Sequence, residues 1–227
     1  MELKLHLFEG LNPFQENAYL VYHADQKQVK EKEQSTHKAH LFDPGFSNEM
    51  EWDQILRVLE AKNLEIEAIV LTHGHVDHIM GLQKAVQLFE APVYMHRESY
   101  EFIEQYPEQA MMFGFTAEPI AIKPEYIEAS LNLQLGSFEY DARYTPGHAP
   151  GHLSFYHKQG SWVIAGDALF AGSIGRTDLY GGDFELLEQS IRKKLYILPD
   201  ETTVWPGHGP STNIGHEKKT NPFVQGR

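Results

Sequence analysis

The stretch that most restricts this chain is Ile66–His78, where the short β-branched run IEAIVL passes directly into THGHVDH. A run of that length and composition predicts a strand buried on both faces, which needs covering layers on either side. The loop that follows carries His73, His75, Asp77 and His78 within six residues, with Gly74 giving the backbone room to turn. Four strong ligand side chains so close at a strand end point to metal, because one turning loop projects His73 and His75 to one side and lets Asp77 and His78 be redirected. One loop can then feed two ions.

The rest of the chain reads as strands followed by covering helices. Residues Glu2 to Phe8 and Asn17 to His23 predict two antiparallel strands around the Asn12-Pro13 turn. The charged run Asp25 to Lys38 predicts a solvated hairpin tip. His40 to Phe42 predicts a strand that ends in the reversal Asp43-Pro44-Gly45. Asn48 predicts a helix N-cap, and Trp52, Ile55, Leu56 and Leu59 form one apolar stripe behind it. Ile79 to Phe89 has helical spacing, Pro92 to His96 reads as a strand, Arg97 to Gln105 as a helix, and Tyr106 to Ser130 as loop. Leu131 to Leu135, Phe138 to Tyr144, Leu153 to His157 and Trp162 to Ala165 predict an antiparallel meander punctuated by glycine. Phe184, Leu187, Ile191 and Leu195 predict a last helix and Thr202 to Trp205 a last strand. Two halves of this kind predict an α+β chain folded as a four-layer αββα sandwich, one domain over residues 1–227 with no visible repeat.

Composition narrows the chemistry. Cysteine is absent, which excludes disulfides, a thiol nucleophile, iron–sulfur clusters and thiolate ligands. Any metal sits on His, Asp, Glu or backbone oxygen. The formal charge of −13 opposes phosphate backbones, so nucleic acid is not an expected partner. No leader-like apolar region opens the chain and no apolar run approaches the ~20 residues of a membrane span, so a cytoplasmic protein off the membrane is expected. Thirteen histidines, none in a tag-like run, exceed ordinary usage and fit a metal site or proton relay.

Three further candidates share the sequence setting of the loop, a strand end beside glycine: His148 in TPGHAPGH, Asp167 in IAGDALF and His208 in WPGHG. A rigid scaffold presents catalytic groups well at such ends. His152 is expected to pack behind the ligands, and His6, His23, His37, His40, His96, His157 and His216 to be structural or surface residues.

With these residues in hand, the chain resembles the metallo-β-lactamase-fold hydrolases. THGHVDHIMG matches the HxHxDH signature, and His148, Asp167 and His208 fall in order at the remaining ligand positions. The stretches Gly166–Asp183 and Val204–Phe223 resemble the short glyoxalase II-like (hydroxyacylglutathione hydrolase) relatives. The resemblance implies that His73, His75 and His148 hold one metal, Asp77, His78 and His208 a second, and that Asp167 bridges them. Two divalent transition-metal ions are expected, zinc first, with iron and manganese accepting the same donors. Such a pair lies ~3.5–4 Å apart and lowers the pKa of bound water toward ~7.

The implied reaction is hydrolysis of a small-molecule thioester such as S-lactoylglutathione by the bridging hydroxide, with Asp77 orienting it. The leaving thiol, whose ordinary pKa is near ~8.5, needs little acid assistance. Arg176 either contacts an anionic substrate or fixes its loop through Asp178; Lys218 and Lys219 are expected to be solvated. Only 19 residues follow His208, too few for the helical domain that carries much of the glutathione site in longer relatives. An iron-dependent persulfide dioxygenase of the same fold, with a similar GRTD segment, and a noncatalytic metal-binding module are the alternatives.

Overall fold

A computed structural model describes residues 3–23 and 36–226. The expected charged hairpin tip lies outside the described residues up to position 35, and His37 and Lys38 open a strand instead. In chain order the first sheet contains β1 (Leu3–Leu11), β2 (Glu16–His23), β3 (His37–Phe42), β4 (Leu64–Val70), β5 (Val93–Met95) and β6 (Glu125–Tyr126), hydrogen-bonded in that order. The second contains β7 (Ser130–Leu135), β8 (Phe138–Tyr144), β9 (Leu153–His157), β10 (Trp162–Gly166), β13 (Thr203–Pro206) and β14 (Thr212–Asn213). A small ribbon, β11 (Leu169–Phe170) and β12 (Ser173–Ile174), follows β10.

Strand alternation sorts the apolar side chains into layers. Trp162 and Ile164 of β10 join Tyr19, Phe42, Val70, Tyr140 and Phe155 between the two sheets. Val163 and Ala165 of the same strand face outward. They are covered by α6 (Phe184–Ser190), its π-helical continuation Ile191–Leu195, and α7 (Ile214–Thr220), through Leu187, Ile191, Leu195 and Ile214. On the other side α1 (Glu49–Lys62), α2 (Val76–Ile79) and α3 (Leu82–Phe89) cover Leu20, Leu41 and Ile69. The four-layer α+β sandwich expected from the sequence is therefore present. Alternation in β4 is reset at Glu67, a bulge between the pairs Ala39–Ile66 and His40–Ala68, so Ala68 and Val70 turn inward and Ile69 outward.

Local expectations hold where capping and burial agree. The Asn48 side chain accepts the Glu51 N–H at 3.1 Å and starts α1, whose Trp52, Ile55 and Leu59 are buried. Leu56 leaves the expected stripe and is 40% exposed, as is Phe184 of α6 at 44%. The helix expected over residues 79–89 begins only at Leu82, behind the separate turn α2, because the Gly81 N–H donates to Pro44 O at 2.8 Å rather than continuing the helical ladder. The stretch 106–130, expected to be loop, contains β6 and a helix. After α4 (Tyr100–Glu104), Pro107 sits in the first turn of α5 (Tyr106–Met112), where a missing N–H costs nothing, and Tyr106 and Ala110 are buried beneath it. α7, which the sequence reading did not anticipate, is capped by Asn213 through the His216 N–H at 2.8 Å.

Parallel pairing sets the location of the site. β3–β4–β5 and β10–β13 run parallel, so their C-terminal ends gather along one edge of the sandwich. Main-chain bonds stitch that edge together: Leu153 N–H to Thr72 O, Gly207 N–H to Gly166 O and Asn17 N–H to Gly207 O, each at 2.8 Å.

Candidate metal centre

All seven expected ligands converge at that edge. His73, His75, Asp77 and His78 follow β4, His148 precedes β9, Asp167 follows β10 and His208 follows β13. Their donor atoms form three overlapping groups, each within 4.8 Å: His73, His75 and His148; His73, His78 and Asp167; Asp77, His78 and His208. Asp167 spans the halves. Its Oδ2 lies 3.5 Å from His148 Nε2 and 3.4 Å from His208 Nε2, while Oδ1 lies 3.3 Å from His78 Nε2. Asp77 Oδ2 is 3.0 Å from His208 Nε2.

The imidazoles are aimed by the bonds behind them. His78 donates from Nδ1 to Asp43 Oδ2 at 3.1 Å, His148 to Arg176 O at 2.8 Å and His208 to Gln15 O at 3.2 Å. His73 donates from Nδ1 to Thr72 Oγ1 at 3.0 Å, and that hydroxyl donates to Asp43 Oδ2 at 2.7 Å. Each of these four rings presents Nε2 to the centre, its orientation fixed by an outer partner at Nδ1. His75 reverses the pattern, with Nδ1 2.8 Å from His148 Nε2.

Electrostatics divide the centre. Burial holds His73, His75 and His148 below the ordinary histidine pKa, His75 down to about 3, so these rings are neutral and offer lone pairs. At His208 burial opposes charge, but Asp167 and Asp77 outweigh it and lift its pKa to about 10. His78 is raised in the same way by the same two carboxylates. Burial likewise opposes charge on Asp167, and His78 and His208 keep it ionised.

This donor set fits a pair of metal ions. Neutral imidazole nitrogens face one another at 2.8 and 3.3 Å, and His75 Nε2, His78 Nε2 and Asp167 Oδ1 are buried without a hydrogen-bond partner. A cation resolves such convergence, whereas protons on every ring would repel. The approach is tight: a Cβ on Gly207 would lie 2.0 Å from Asp167 Oδ1, so only glycine lets the chain leaving β13 pass the carboxylate undisturbed.

His152 sits behind the candidate ligands. Its Nε2 accepts the Asp167 N–H at 3.0 Å and its Nδ1 donates to Thr145 Oγ1 at 2.8 Å. Arg176 lies at the rim with Nε and Nη2 on the Asp178 carboxylate at 2.7 and 2.8 Å, while its carbonyl oxygen positions His148. Sequence reading missed Asp43, Thr72 and Glu16. Asp43 had a signal, since it follows a strand parallel to the one that delivers His73. Glu16 had none: it is fully buried with both oxygens unbonded, Oε1 3.8 Å from His78 Nδ1, and burial raises its pKa well above the usual carboxylate value.

A cavity of about 400 Å³ opens over His75, Asp77, His148, Asp167 and His208. Its walls are Phe14, Phe102, Met112, Phe113, Phe170, Ile174, Leu179 and Tyr180, with Gln105, Gln109, Ser173 and Arg176 among them. The wall contributed by α5 was not legible in the sequence.

Such a fold and donor set define a metallo-hydrolase. The family description "Metallo-beta-lactamase superfamily" matches residues 11–208, and the chain belongs to that superfamily. It is 38% identical over 220 residues to the probable metallo-hydrolase YqgX of Bacillus subtilis, covering 95% of both chains. It is 34% identical over 216 residues to the hydroxyacylglutathione hydrolase GloC of Haemophilus influenzae, covering 94% of this chain and 95% of the relative. Among solved structures, BLEG-1 B3 metallo-beta-lactamase superposes with a TM-score of 0.81 at 36% identity, over 97% of this chain and 99% of that one. TTHA1623 in a di-iron-bound form gives 0.78 at 36% identity, over 96% and 100%. Among the described residues no helix is long and apolar enough to cross a membrane.

Proposed function

We propose that this protein is a binuclear thioesterase acting on small-molecule thioesters, with S-lactoylglutathione as the reference substrate. The observation that carries the reading is the Asp167 carboxylate, with one oxygen 3.5 Å from His148 and 3.4 Å from His208, so that one group reaches both histidine sets. Likeness to GloC supports the choice of thioester.

His73, His75 and His148 would hold one ion, Asp77, His78 and His208 the other, and Asp167 both, with zinc the proposed metal. Bound there, two divalent ions supply hydroxide near neutral pH and polarise a carbonyl. Asp77 faces the cavity and takes the proton given up during attack. Arg176, its guanidinium held by Asp178, fixes the rim loop whose carbonyl positions His148. The acyl C–S bond breaks and a C–O bond forms with one water consumed; a carboxylate, a thiol and one proton leave.

A second reading, β-lactam hydrolysis, has the likeness to BLEG-1 in its favour. One experiment separates the readings: steady-state assay of zinc-loaded protein on S-lactoylglutathione, a chromogenic cephalosporin and glutathione persulfide, with and without oxygen. Thioester turnover indifferent to oxygen is expected. Lactam turnover alone, or persulfide consumption that stops without oxygen, overturns the proposal.

A further inference from the structure

We infer that the cavity over the metal centre selects thioesters whose acyl group is apolar, an alkyl chain of several carbons or an aromatic ring, and does not require glutathione as the thiol. The inference refines the thioesterase reading and rests on it. Its basis is where the apolar wall begins. The Phe102 ring meets His75 edge-on at 5.2 Å between centroids, and Phe170 meets His208 at 5.9 Å. Two rings of the cavity wall thus pack directly on candidate ligands, so the apolar lining begins at the centre itself.

The wall stays apolar farther out. Phe14 packs edge-on against Phe113 at 5.0 Å. Tyr180 gives its hydroxyl to Glu101 at 3.2 Å and keeps its ring beside Phe102 at 6.0 Å. The amides on the wall are committed elsewhere: Gln109 Nε2 donates to Gly74 O at 3.1 Å and Phe102 O at 2.7 Å, and Gln105 Nε2 to Glu101 at 3.0 Å. A hydroxyl on the acyl group would therefore leave water for a ring-lined space, which costs free energy unless a partner is found.

Charge points the same way. A glutathione thiol brings two carboxylates and an ammonium group, whereas Arg176 is the one lysine or arginine on the cavity wall among the described residues, and Asp178 neutralises it. At about 400 Å³ the cavity falls near the small end of ligand sites. It suits an acyl group and offers neither the room nor the charge to select a long charged thiol.

The test uses metal-loaded protein and thioesters of one small neutral thiol, N-acetylcysteamine, with acetyl, lactoyl, butyryl, hexanoyl and phenylacetyl groups. Full burial of a methylene corresponds to about fourfold, so kcat/KM should climb roughly two- to fourfold per methylene from acetyl to hexanoyl. Phenylacetyl should match hexanoyl, lactoyl should fall below butyryl, and exchange of the thiol for glutathione should change the rate less than about threefold. Phe113→Ser should reduce the hexanoyl-to-acetyl ratio by about fivefold. Met112→Ser, at a largely exposed position where folding is not at stake, should move the ratio the same way.

A flat or falling series, a requirement for glutathione, or a ratio unmoved by both variants overturns the inference and leaves the hydrolase reading standing. No turnover of any thioester overturns the thioesterase reading. The cavity is then judged by calorimetry with unreactive S-alkyl thioethers of N-acetylcysteamine. Tightening of at least tenfold from methyl to hexyl, with a negative heat-capacity change, upholds apolar selection, and constant affinity overturns it.

Discussion

The Asp43 carboxylate accepts the Nδ1–H of His78 at 3.1 Å on one oxygen and the Thr72 N–H at 2.7 Å on the other, so the residue that follows β3 both aims a candidate ligand and anchors the strand end that delivers four of them. Asp43→Asn keeps the size but loses the charge behind His78. Affinity for the second ion should drop by about 10–100-fold, the usual cost of removing an outer-shell partner. Competition against a chelator of known affinity measures it, and an unchanged constant would remove Asp43 from the site.

Asp77→Asn separates chemistry from support. It takes the negative charge from the cavity floor, and turnover should fall at least ~10²-fold. His152→Ala, which removes the acceptor of the Asp167 N–H without touching the cavity, should cost no more than ~10–100-fold. Measuring kcat and bound metal for both decides the ranking. Asp77→Asn near wild type, beside a His152→Ala protein that has lost an ion, would reverse the roles.

Gly207→Ala places a methyl where only 2.0 Å separates the Cβ position from Asp167 Oδ1. The carboxylate has to move away from His78 and His208. The protein should fold but bind fewer than two ions, as elemental analysis after gel filtration would show. Full occupancy would mean that the bridge tolerates displacement.

His40, expected to be structural or surface, is fully buried between the sheets, with Nδ1 3.2 Å from the Tyr140 hydroxyl and Nε2 3.5 Å from Glu67. Burial lowers its pKa to about 4 even though Glu67 pulls the other way. An unfolded chain takes up this proton near the ordinary histidine value of 6.5 and the folded one only near 4. The unfolded state therefore binds more protons between those values, and stability is lost as pH falls through that window. At pH 5 the loss is about 2 kcal/mol. Urea unfolding at pH 7 and pH 5 should show wild type losing that much more than His40→Gln; equal losses would assign the pH dependence elsewhere.

What could be read from the sequence depended on whether a residue's role was local. The seven candidate ligands were legible because glycine-kinked strand ends group them in short motifs, and the sandwich was legible because strand and helix periods alternate cleanly. Asp43 read only as a turn, since its bond to His78 crosses 35 positions. The aromatic wall was hidden because Phe14, Phe102 and Phe113 are separated along the chain and each resembles an ordinary core residue. α5 was hidden by Pro107, which breaks a helix in its interior and begins one in its first turn.

Titration of metal-free protein with zinc, following S-lactoylglutathione hydrolysis and bound metal in the same samples, tests the binuclear hydrolase most directly. Turnover should stay low through the first equivalent and rise as the second fills the half formed by Asp77, His78 and His208. Full activity with a single ion bound, or none with two, would contradict the account.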